Sequence, residues 1–208
     1  MQLIGYMDSP FVRRVAITLE ILGLDYQHRE LSIFRDFDEF YALNPLVKVP
    51  TLLLDDGQVL VDSSLIIDYL ETQIVGRSLM PVDPVEYRYA LQHIGVALVA
   101  MEKVASLIYE TSQRPAQMQH QPWIDRLETQ LRGAVELMES AIAKSSAAGH
   151  SWLLGEDLCQ ADITTAVAYR FTQHIERADI SPDDYPALRE YSARAEKLPA
   201  FLACPLSD

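Results

Sequence analysis

The chain has 208 residues, 49% of them apolar, and a formal net charge of −13 at neutral pH. This composition is typical of a globular protein and excludes an intrinsically disordered chain. The acidic balance argues against a nucleic-acid partner, because phosphate binding depends on clustered lysine and arginine. The sequence has no apolar run of about 18 residues and no secretory signal, so we expect a cytoplasmic protein without a membrane partner.

The N-terminal residues predict a strand followed by a helix. Residues 1–5 form a short apolar run, and residues 11–22 carry apolar side chains at helical spacing. Ser9 is a good helix N-cap, and Pro10 suits the first helical position, where an N–H has no intrahelical partner. A hydroxyl at this junction lies where free N–H groups and the helix dipole favour an anion, such as a thiolate. A purely structural cap explains the same residues.

The next segment predicts a β-hairpin. Two apolar runs, residues 51–54 and 58–61, flank the dipeptide Asp56-Gly57, which favours a tight turn. Pro50 stands directly before the first of these strands, where a proline needs a special reason, and a cis peptide bond is one candidate.

Helices account for the rest of the predicted elements. One covers residues 33–43, and Asp62-Ser63 caps another that runs to residue 70, so the order is strand, helix, strand, helix, hairpin, helix. A glycine and two prolines mark residues 76–84 as a linker. Apolar spacing after the linker predicts helices over residues 85–112, 123–145, 162–178 and 186–197.

Four motifs occur in an order that resembles one protein family. They are Ser9-Pro10-Phe11-Val12-Arg13, Asn44-Pro45 with Lys48-Val49-Pro50, Asp62-Ser63, and Ala161-Asp162-Ile163. This order is similar to that of the glutathione S-transferase family, and the similarity runs nearly end to end. It implies an α/β thioredoxin-like domain over residues 1–75, a linker over 76–84 and an all-helical domain over 85–208. Non-enzymatic relatives keep the same scaffold, so the resemblance bears on fold more than on activity.

The resemblance implies chemistry on a tripeptide thiol. Ser9 matches the catalytic serine of serine-type, bacterial-like members, whose hydroxyl stabilises the glutathione thiolate. Tyr6 is the competing donor, because some branches use a tyrosine at the end of the first strand, although those branches lack the Ser-Pro-Phe sequence. An alcohol stands here where cysteine-type relatives have a thiol, which disfavours a mixed-disulfide mechanism.

The same resemblance implies the glutathione-binding residues. Val49 precedes the cis-proline of the family and pairs its backbone with the cysteinyl part of glutathione. Asp62 and Ser63 match the pair that holds the γ-glutamyl end, although a capping pair alone explains them equally well. Lys48 is a candidate for the glycyl carboxylate, with a solvated surface lysine as the alternative. Val47 replaces a glycine of many relatives, so we expect this loop to sit differently.

Several other residues have structural explanations. Asp162 falls at the family's buried capping-box aspartate, and Cys159 stands where a better Ser or Thr cap is usual. We therefore expect a capping box in which only one of the two reciprocal side-chain hydrogen bonds forms. The five histidines show no metal-ligand spacing, and no metal is expected. Core packing is the expected role of Met101, Tyr109 and Trp123, with an apolar pocket in the helical domain as the alternative.

The sequence therefore predicts a glutathione transferase that is a homodimer. Glutathione is the expected co-substrate, and the partner substrate is an electrophilic apolar small molecule. One alternative is a non-catalytic adaptor resembling the stringent starvation protein, which has this fold and binds RNA polymerase. A third possibility is isomerisation with glutathione as a true cofactor, as in the zeta branch. The paired serines of that branch are absent, because Met7-Asp8 precedes Ser9.

Overall fold

The computed structural model describes residues 1–174 and 180–206, and the chain divides into two compact units. The first unit combines Met1–Leu79 with the C-terminal segment that starts at Lys197, and the second is Met80–Glu196. Each unit has its own core and is described separately below.

The first unit is thioredoxin-like, with a small mixed sheet and flanking helices. Its strand order is β2-β1-β3-β4, in which β1 is parallel to β2 and antiparallel to β3, and β3 is antiparallel to β4. The predicted element order is confirmed. The elements are β1 (Gln2–Ile4), α1 (Pro10–Leu22), β2 (Gln27–Arg29), α2 (Phe37–Leu43), β3 (Thr51–Leu53), β4 (Val59–Val61) and α3 (Ser63–Glu71).

Helix α1 begins and ends where local chemistry predicts. Ser9 has extended backbone angles and its side chain accepts a hydrogen bond from the Val12 N–H, while Pro10 occupies the first turn. Gly23 ends the helix in the left-handed conformation, and its N–H donates to the carbonyl of Glu20. Glycine adopts this conformation without the steric cost that a Cβ imposes. The N-cap prediction for Ser9 is confirmed.

Helix α2 begins four residues later than the pattern predicts. The Ser32 hydroxyl accepts hydrogen bonds from the N–H groups of Phe34 (3.2 Å) and Arg35 (3.1 Å). The Asp36 carboxylate in turn accepts one from the Ser32 N–H at 2.8 Å. Because these local bonds compete with helical ones, residues 33–36 form a turn and the helix starts at Phe37.

The predicted hairpin is confirmed. Strands β3 and β4 pair in antiparallel register with Leu52 opposite Leu60, and the Leu54 N–H donates to the Gln58 carbonyl across the turn. Gly57 has a φ of 87°, the left-handed region that this turn requires. The hairpin places residue 62 directly after β4, at the start of α3.

The second unit is built from helices. Helix α4 packs against both α5 and α6, and α7 packs against α5 and α6. A π-helical turn, Tyr109–Gln113, follows α4. The last residues of the predicted 162–178 helix, 175–178, lie outside the described residues. The helices are α4 (Pro84–Ile108), α5 (Gln121–Ala147), α6 (Gln160–His174) and α7 (Pro186–Ala195).

A buried aspartate ties the start of α6 to its surroundings. One carboxylate oxygen of Asp162 accepts from the Cys159 N–H at 2.7 Å, and the other accepts from the Leu153 N–H at 2.8 Å and from the Tyr191 hydroxyl. Asp162 supplies its half of the capping box, while the Asp162 N–H donates to the Cys159 carbonyl and not to its sulfur. Burial raises the pKa of the Cys159 thiol to about 12, so this cysteine is a structural residue.

The C-terminal segment belongs to the first unit. Helix α8 (Pro199–Ala203) packs against α1. The Arg13 Nε donates to the Cys204 carbonyl at 2.8 Å, and the Arg13 guanidinium lies over the Phe201 ring. The domain predicted over residues 85–208 therefore differs from the second compact unit at its C-terminal end, because these contacts attach α8 to α1. Residues 207 and 208 lie outside the described residues.

One described helical segment is long and apolar enough to cross a membrane by length and composition alone. It is Pro84–Gln113, with a mean hydropathy of 1.4 over its most apolar window. A core helix of a water-soluble protein passes the same test, and α4 packs against two other helices of its unit. This is weak evidence for a span, and the absence of a membrane partner stays a prediction.

Candidate functional site

The first part of the candidate site is the junction between β1 and α1. The Ser9 side chain is half-buried, and its Oγ accepts from the Val12 N–H over a long 3.5 Å. The hydroxyl hydrogen has no acceptor in the described part of the chain. Ser9 therefore presents a free O–H donor beside the first turn of a helix, whose dipole favours negative charge.

Tyr6 lies on the same junction but is held differently. Its ring is half-buried, and the Arg35 guanidinium lies 5.2 Å from the ring centre. The Tyr6 hydroxyl makes no hydrogen bond to any described residue. The geometry thus leaves both hydroxyls available, and the precedence of Ser9 over Tyr6 stays a prediction.

A cis peptide bond joins Val49 to Pro50, as predicted. Gly5 brings this bend close to the β1–α1 junction: a Cβ on Gly5 would lie 2.7 Å from Val12 Cγ2 and 2.9 Å from Val49 Cγ1. Those distances are too short for any side chain, and the Gly5 φ of 132° is also one that L-residues rarely adopt. Gly5 therefore permits the Val49 bend and the start of α1 to meet.

The backbone of Val49 is unpaired. Neither its N–H nor its C=O makes a hydrogen bond to another described residue, although the side chain is half-buried. Unpaired N–H and C=O groups on one residue are what a neighbouring strand or an extended peptide would satisfy. The backbone of this predicted binding residue is therefore open to a partner from outside the described chain.

The loop before Val49 is fixed by Asn44. The buried Asn44 amide donates to Thr51 Oγ1 at 2.8 Å, and its carbonyl accepts from the Leu46 N–H at 3.0 Å. Thr51 Oγ1 in turn donates to the Lys48 carbonyl at 2.7 Å. These bonds hold Val47 at a φ of 45°, the left-handed region that glycine favours. Val47 thus adopts a glycine-like conformation here.

Lys48 is exposed, and its ammonium contacts no carboxylate among the described residues. The geometry leaves it free to attract an anion but does not aim it at one. Its role as a ligand residue stays a prediction.

The second part of the site is the start of α3. Asp62 has a φ of 71° and a ψ of 122°, which is strained for a residue with a side chain. Its Oδ1 accepts from the N–H groups of Ser64 (2.8 Å) and Leu65 (3.4 Å), so the predicted capping role is real. Its other carboxylate oxygen has no described partner. The Ser63 N–H also has none, and it lies at the helix N-terminus, where an anion is favoured.

Arg14 is a site residue that periodicity does not find. It lies in α1 and is 1% exposed, and its Nη1 donates to Ser63 Oγ at 3.0 Å and to Ser64 Oγ at 3.1 Å. Burial lowers the pKa of its guanidinium to about 10, while the negative charge of Asp62 acts to raise it. Apolar spacing assigns Arg14 to the polar side of α1, but the available signal is that two consecutive arginines interrupt an otherwise apolar helix.

The helical unit has a cavity of its own, of about 460 Å³. Tyr109 and Trp123 line it with half-exposed rings, and Arg114 lies beside them, its Nε donating to the buried Glu110 at 2.9 Å. Met101, the third pocket candidate, is fully buried in the core instead. The described residues contain no cluster of histidine, cysteine and acidic side chains able to hold a metal ion.

Comparison with known proteins identifies the family. Residues 3–78 match the family model of the glutathione S-transferase N-terminal domain, and residues 121–194 match that of the C-terminal domain. The chain belongs to the glutathione S-transferase family. A maleylacetoacetate isomerase of Pseudomonas aeruginosa is 30% identical over 97% of this chain and 93% of its own length. A probable maleylacetoacetate isomerase of Drosophila melanogaster is 28% identical, over 97% of this chain and 79% of its own length.

Solved structures of family members share this fold. A glutathione transferase family member from Pseudomonas fluorescens, crystallised with bound glutathione, has a TM-score of 0.85 and 28% identity over 100% of this chain and 99% of its own. A second, from Methylobacterium radiotolerans in complex with glutathione sulfonate, has a TM-score of 0.88 at 24% identity, over 100% and 95% of the two chains. This second likeness bears on the fold alone.

Proposed function

We propose that this chain is a glutathione transferase, which joins the sulfur of glutathione to an electrophilic carbon of an apolar small molecule. The observation that carries the proposal is the unpaired N–H and C=O of Val49 beside the cis-proline. An extended tripeptide meets such a residue as a neighbouring strand would, through one N–H and one C=O. The Pseudomonas fluorescens relative, crystallised with glutathione, supports this choice of tripeptide.

The start of α3 suits the γ-glutamyl end of glutathione. The free N–H and the hydroxyl of Ser63 are donors for the ligand's carboxylate, and the unpartnered oxygen of Asp62 is an acceptor for its ammonium. Asp62 thus combines a capping role with a binding role. Lys48 is the candidate for the glycyl carboxylate at the opposite end of the tripeptide.

Ser9 is the proposed catalytic residue. Its free hydroxyl donates to the ligand sulfur and favours the thiolate over the thiol, so that the thiol proton leaves to solvent. A free thiol titrates near about 8.5, and only the thiolate is nucleophilic. The thiolate forms a carbon–sulfur bond with the electrophile while the leaving group departs with the electron pair. We propose separately that the cavity of the helical unit, lined by Tyr109 and Trp123, binds apolar small molecules.

Isomerisation is a second candidate, because two relatives that match nearly the whole chain are named maleylacetoacetate isomerase or a probable one. Stoichiometry separates the two reactions. Conjugation to an activated aryl halide consumes one thiol per turnover, whereas cis–trans isomerisation of a carbon–carbon double bond consumes none. We expect the concentration of free thiol, measured by titration, to fall by one equivalent for each equivalent of product formed. Activity at constant thiol would establish the isomerase instead, and failure to retain the protein on immobilised glutathione would favour the adaptor.

Asp62→Ala is expected to weaken glutathione binding by about 1.5–3 kcal/mol, the range for a hydrogen bond to a charged group. Isothermal calorimetry measures this directly. Asp62→Asn is the matched variant, because it keeps a capping oxygen and tolerates positive φ but removes the charge. Asp68→Ala, an exposed aspartate of the same helix, should bind as the wild type does. Equal affinity of wild type and Asp62→Ala would remove the assignment.

We also propose a two-fold homodimer, the commonest closed assembly. On α4, the apolar side chains of Val85, Tyr89 and Val99 are exposed and lie within one arc of the helix at 100° per residue. Light scattering at micromolar concentration is expected to give twice the chain mass of 23.5 kDa. Tyr89→Glu should shift the mass toward the monomer, while Leu137→Glu on an exposed site of α5 should not. A monomer mass for the wild type would overturn the proposal.

A further inference from the structure

Arg14 is a buried cation that contacts no carboxylate within residues 1–174 and 180–206. Its side chain is 1% exposed, and both of its hydrogen bonds go to hydroxyl oxygens, Ser63 Oγ and Ser64 Oγ. Its Nε is buried and has no hydrogen-bond partner in the part of the chain that the structure describes. An unpaired buried charge is costly. The Asp62 carboxylate at the same helix N-terminus offsets part of this charge, while the hydrogen bonds of the guanidinium go to the two hydroxyls.

The direction of these hydrogen bonds fixes the hydroxyl hydrogens. A guanidinium N–H only donates, so each serine oxygen is an acceptor toward Arg14. The hydrogens of Ser63 and Ser64 must then point away from Arg14, and no described residue accepts from either of them. Both hydroxyls are thus preset as donors. With the free Ser63 N–H, the start of α3 offers three N–H or O–H donors and a buried positive charge behind them.

We propose that Arg14 is a positioning residue, which orients Ser63 and Ser64 so that the start of α3 selects a carboxylate over a neutral group of the same shape. A carboxylate accepts on both oxygens, whereas a carboxamide brings an NH₂ group that would face the donor hydroxyls of Ser63 and Ser64. The inference rests on the proposed function, because the carboxylate in question is that of the γ-glutamyl residue of glutathione.

Two ligands test this selection by calorimetry: glutathione and its analogue with the γ-glutamyl α-carboxylate converted to a carboxamide. The wild type is expected to bind glutathione at least about tenfold more tightly, the scale of a hydrogen bond to a charged group. The ratio of the two affinities, glutathione over the carboxamide analogue, is expected to fall to within about twofold of unity in Arg14→Met. The reason is that the hydroxyls lose their orientation and the positive charge is gone. Arg14→Lys should keep part of the preference, since it keeps the charge on a shorter stem.

Arg13→Met is the matched control. Arg13 is the neighbouring buried arginine of α1, but it contacts the Cys204 carbonyl and the Phe201 ring. It should lower the melting temperature and leave the ligand ratio unchanged. General damage to the unit would weaken the binding of both ligands equally. The ratio of the two affinities therefore distinguishes a positioning role of Arg14 from a loss of stability.

The outcomes separate this inference from the proposed function. Failure of the wild type to bind glutathione would remove both. Tight binding by the wild type with an unchanged ratio in Arg14→Met would overturn the positioning role and leave the proposed function intact. If Arg14→Met does not fold, Arg14→Lys decides the question: a ratio equal to the wild-type value would overturn the role, and a reduced ratio would support it.

Discussion

Ser9→Ala is expected to reduce the turnover of glutathione conjugation by about 10²–10³-fold, the usual loss when a donor aimed at developing negative charge is removed. That range comes from buried acyl-transfer sites, and the half-buried Ser9 places this chain toward its lower end. Folding should change little. Removing an N-cap side chain costs about 0.5–2 kcal/mol, and the 3.5 Å bond to the Val12 N–H puts Ser9 near the small end of that range.

Thiolate absorbance of the glutathione complex as a function of pH gives the direct readout. A hydroxyl that donates to the sulfur favours the charged form and lowers the pKa of the bound thiol. Ser9→Ala should therefore raise that pKa toward the free value, and Ser9→Thr should restore part of the shift. If Tyr6→Phe abolishes the shift and Ser9→Ala does not, the role passes to Tyr6. A bound thiol that titrates at its free value in the wild type would favour the adaptor.

Features that depend on a few neighbouring residues could be predicted from the sequence. The start of α1 follows from Ser9 and Pro10, and the β3–β4 turn follows from Asp56-Gly57, since each is decided by local backbone chemistry. The cis bond before Pro50 was one candidate that the sequence offered, because a proline directly before a strand needs a special reason.

Features that depend on packing could not be predicted in this way. Arg13 and Arg14 occupy positions that helical periodicity assigns to solvent, but α1 is covered by α3 on one side and by α8 on another. Both arginines are consequently buried. The short helix α8 was missed for a related reason: five residues carry too little periodicity to predict a helix, and contacts with Arg13 stabilise it.

The candidate site was likewise predictable only in part. Val49, Asp62 and Ser63 came from a resemblance in residue order, which names positions but not their hydrogen-bonding state. Only the folded backbone shows that Val49 and Ser63 keep unpaired N–H groups within the described chain and that Asp62 sits at a φ of 71°. Strained and unpaired groups are typical of sites where a ligand supplies the missing partners, so these features support the proposed binding role, which stays a prediction.

Asp162→Ala is expected to destabilise the protein more than any other substitution considered above. The side chain is fully buried and accepts hydrogen bonds from the N–H groups of Leu153 and Cys159 and from the Tyr191 hydroxyl. Each buried donor left unsatisfied costs about 1–3 kcal/mol. These costs are not additive, so we expect a total loss of about 3–5 kcal/mol, a large share of the roughly 5–15 kcal/mol typical of a folded domain.

Urea denaturation followed by circular dichroism measures this loss as a lower midpoint at an unchanged m-value. The urea midpoint of Asp162→Asn should lie between those of the wild type and Asp162→Ala. An amide oxygen at the Oδ1 position keeps the bonds from Leu153 and Tyr191, and only the bond from Cys159 is lost. The matched control is Asp157→Ala, an exposed aspartate five residues earlier, which should stay within about 0.5 kcal/mol of the wild type. A loss below about 1 kcal/mol in Asp162→Ala would mean that water replaces the carboxylate, and the start of α6 would then owe its stability to packing alone.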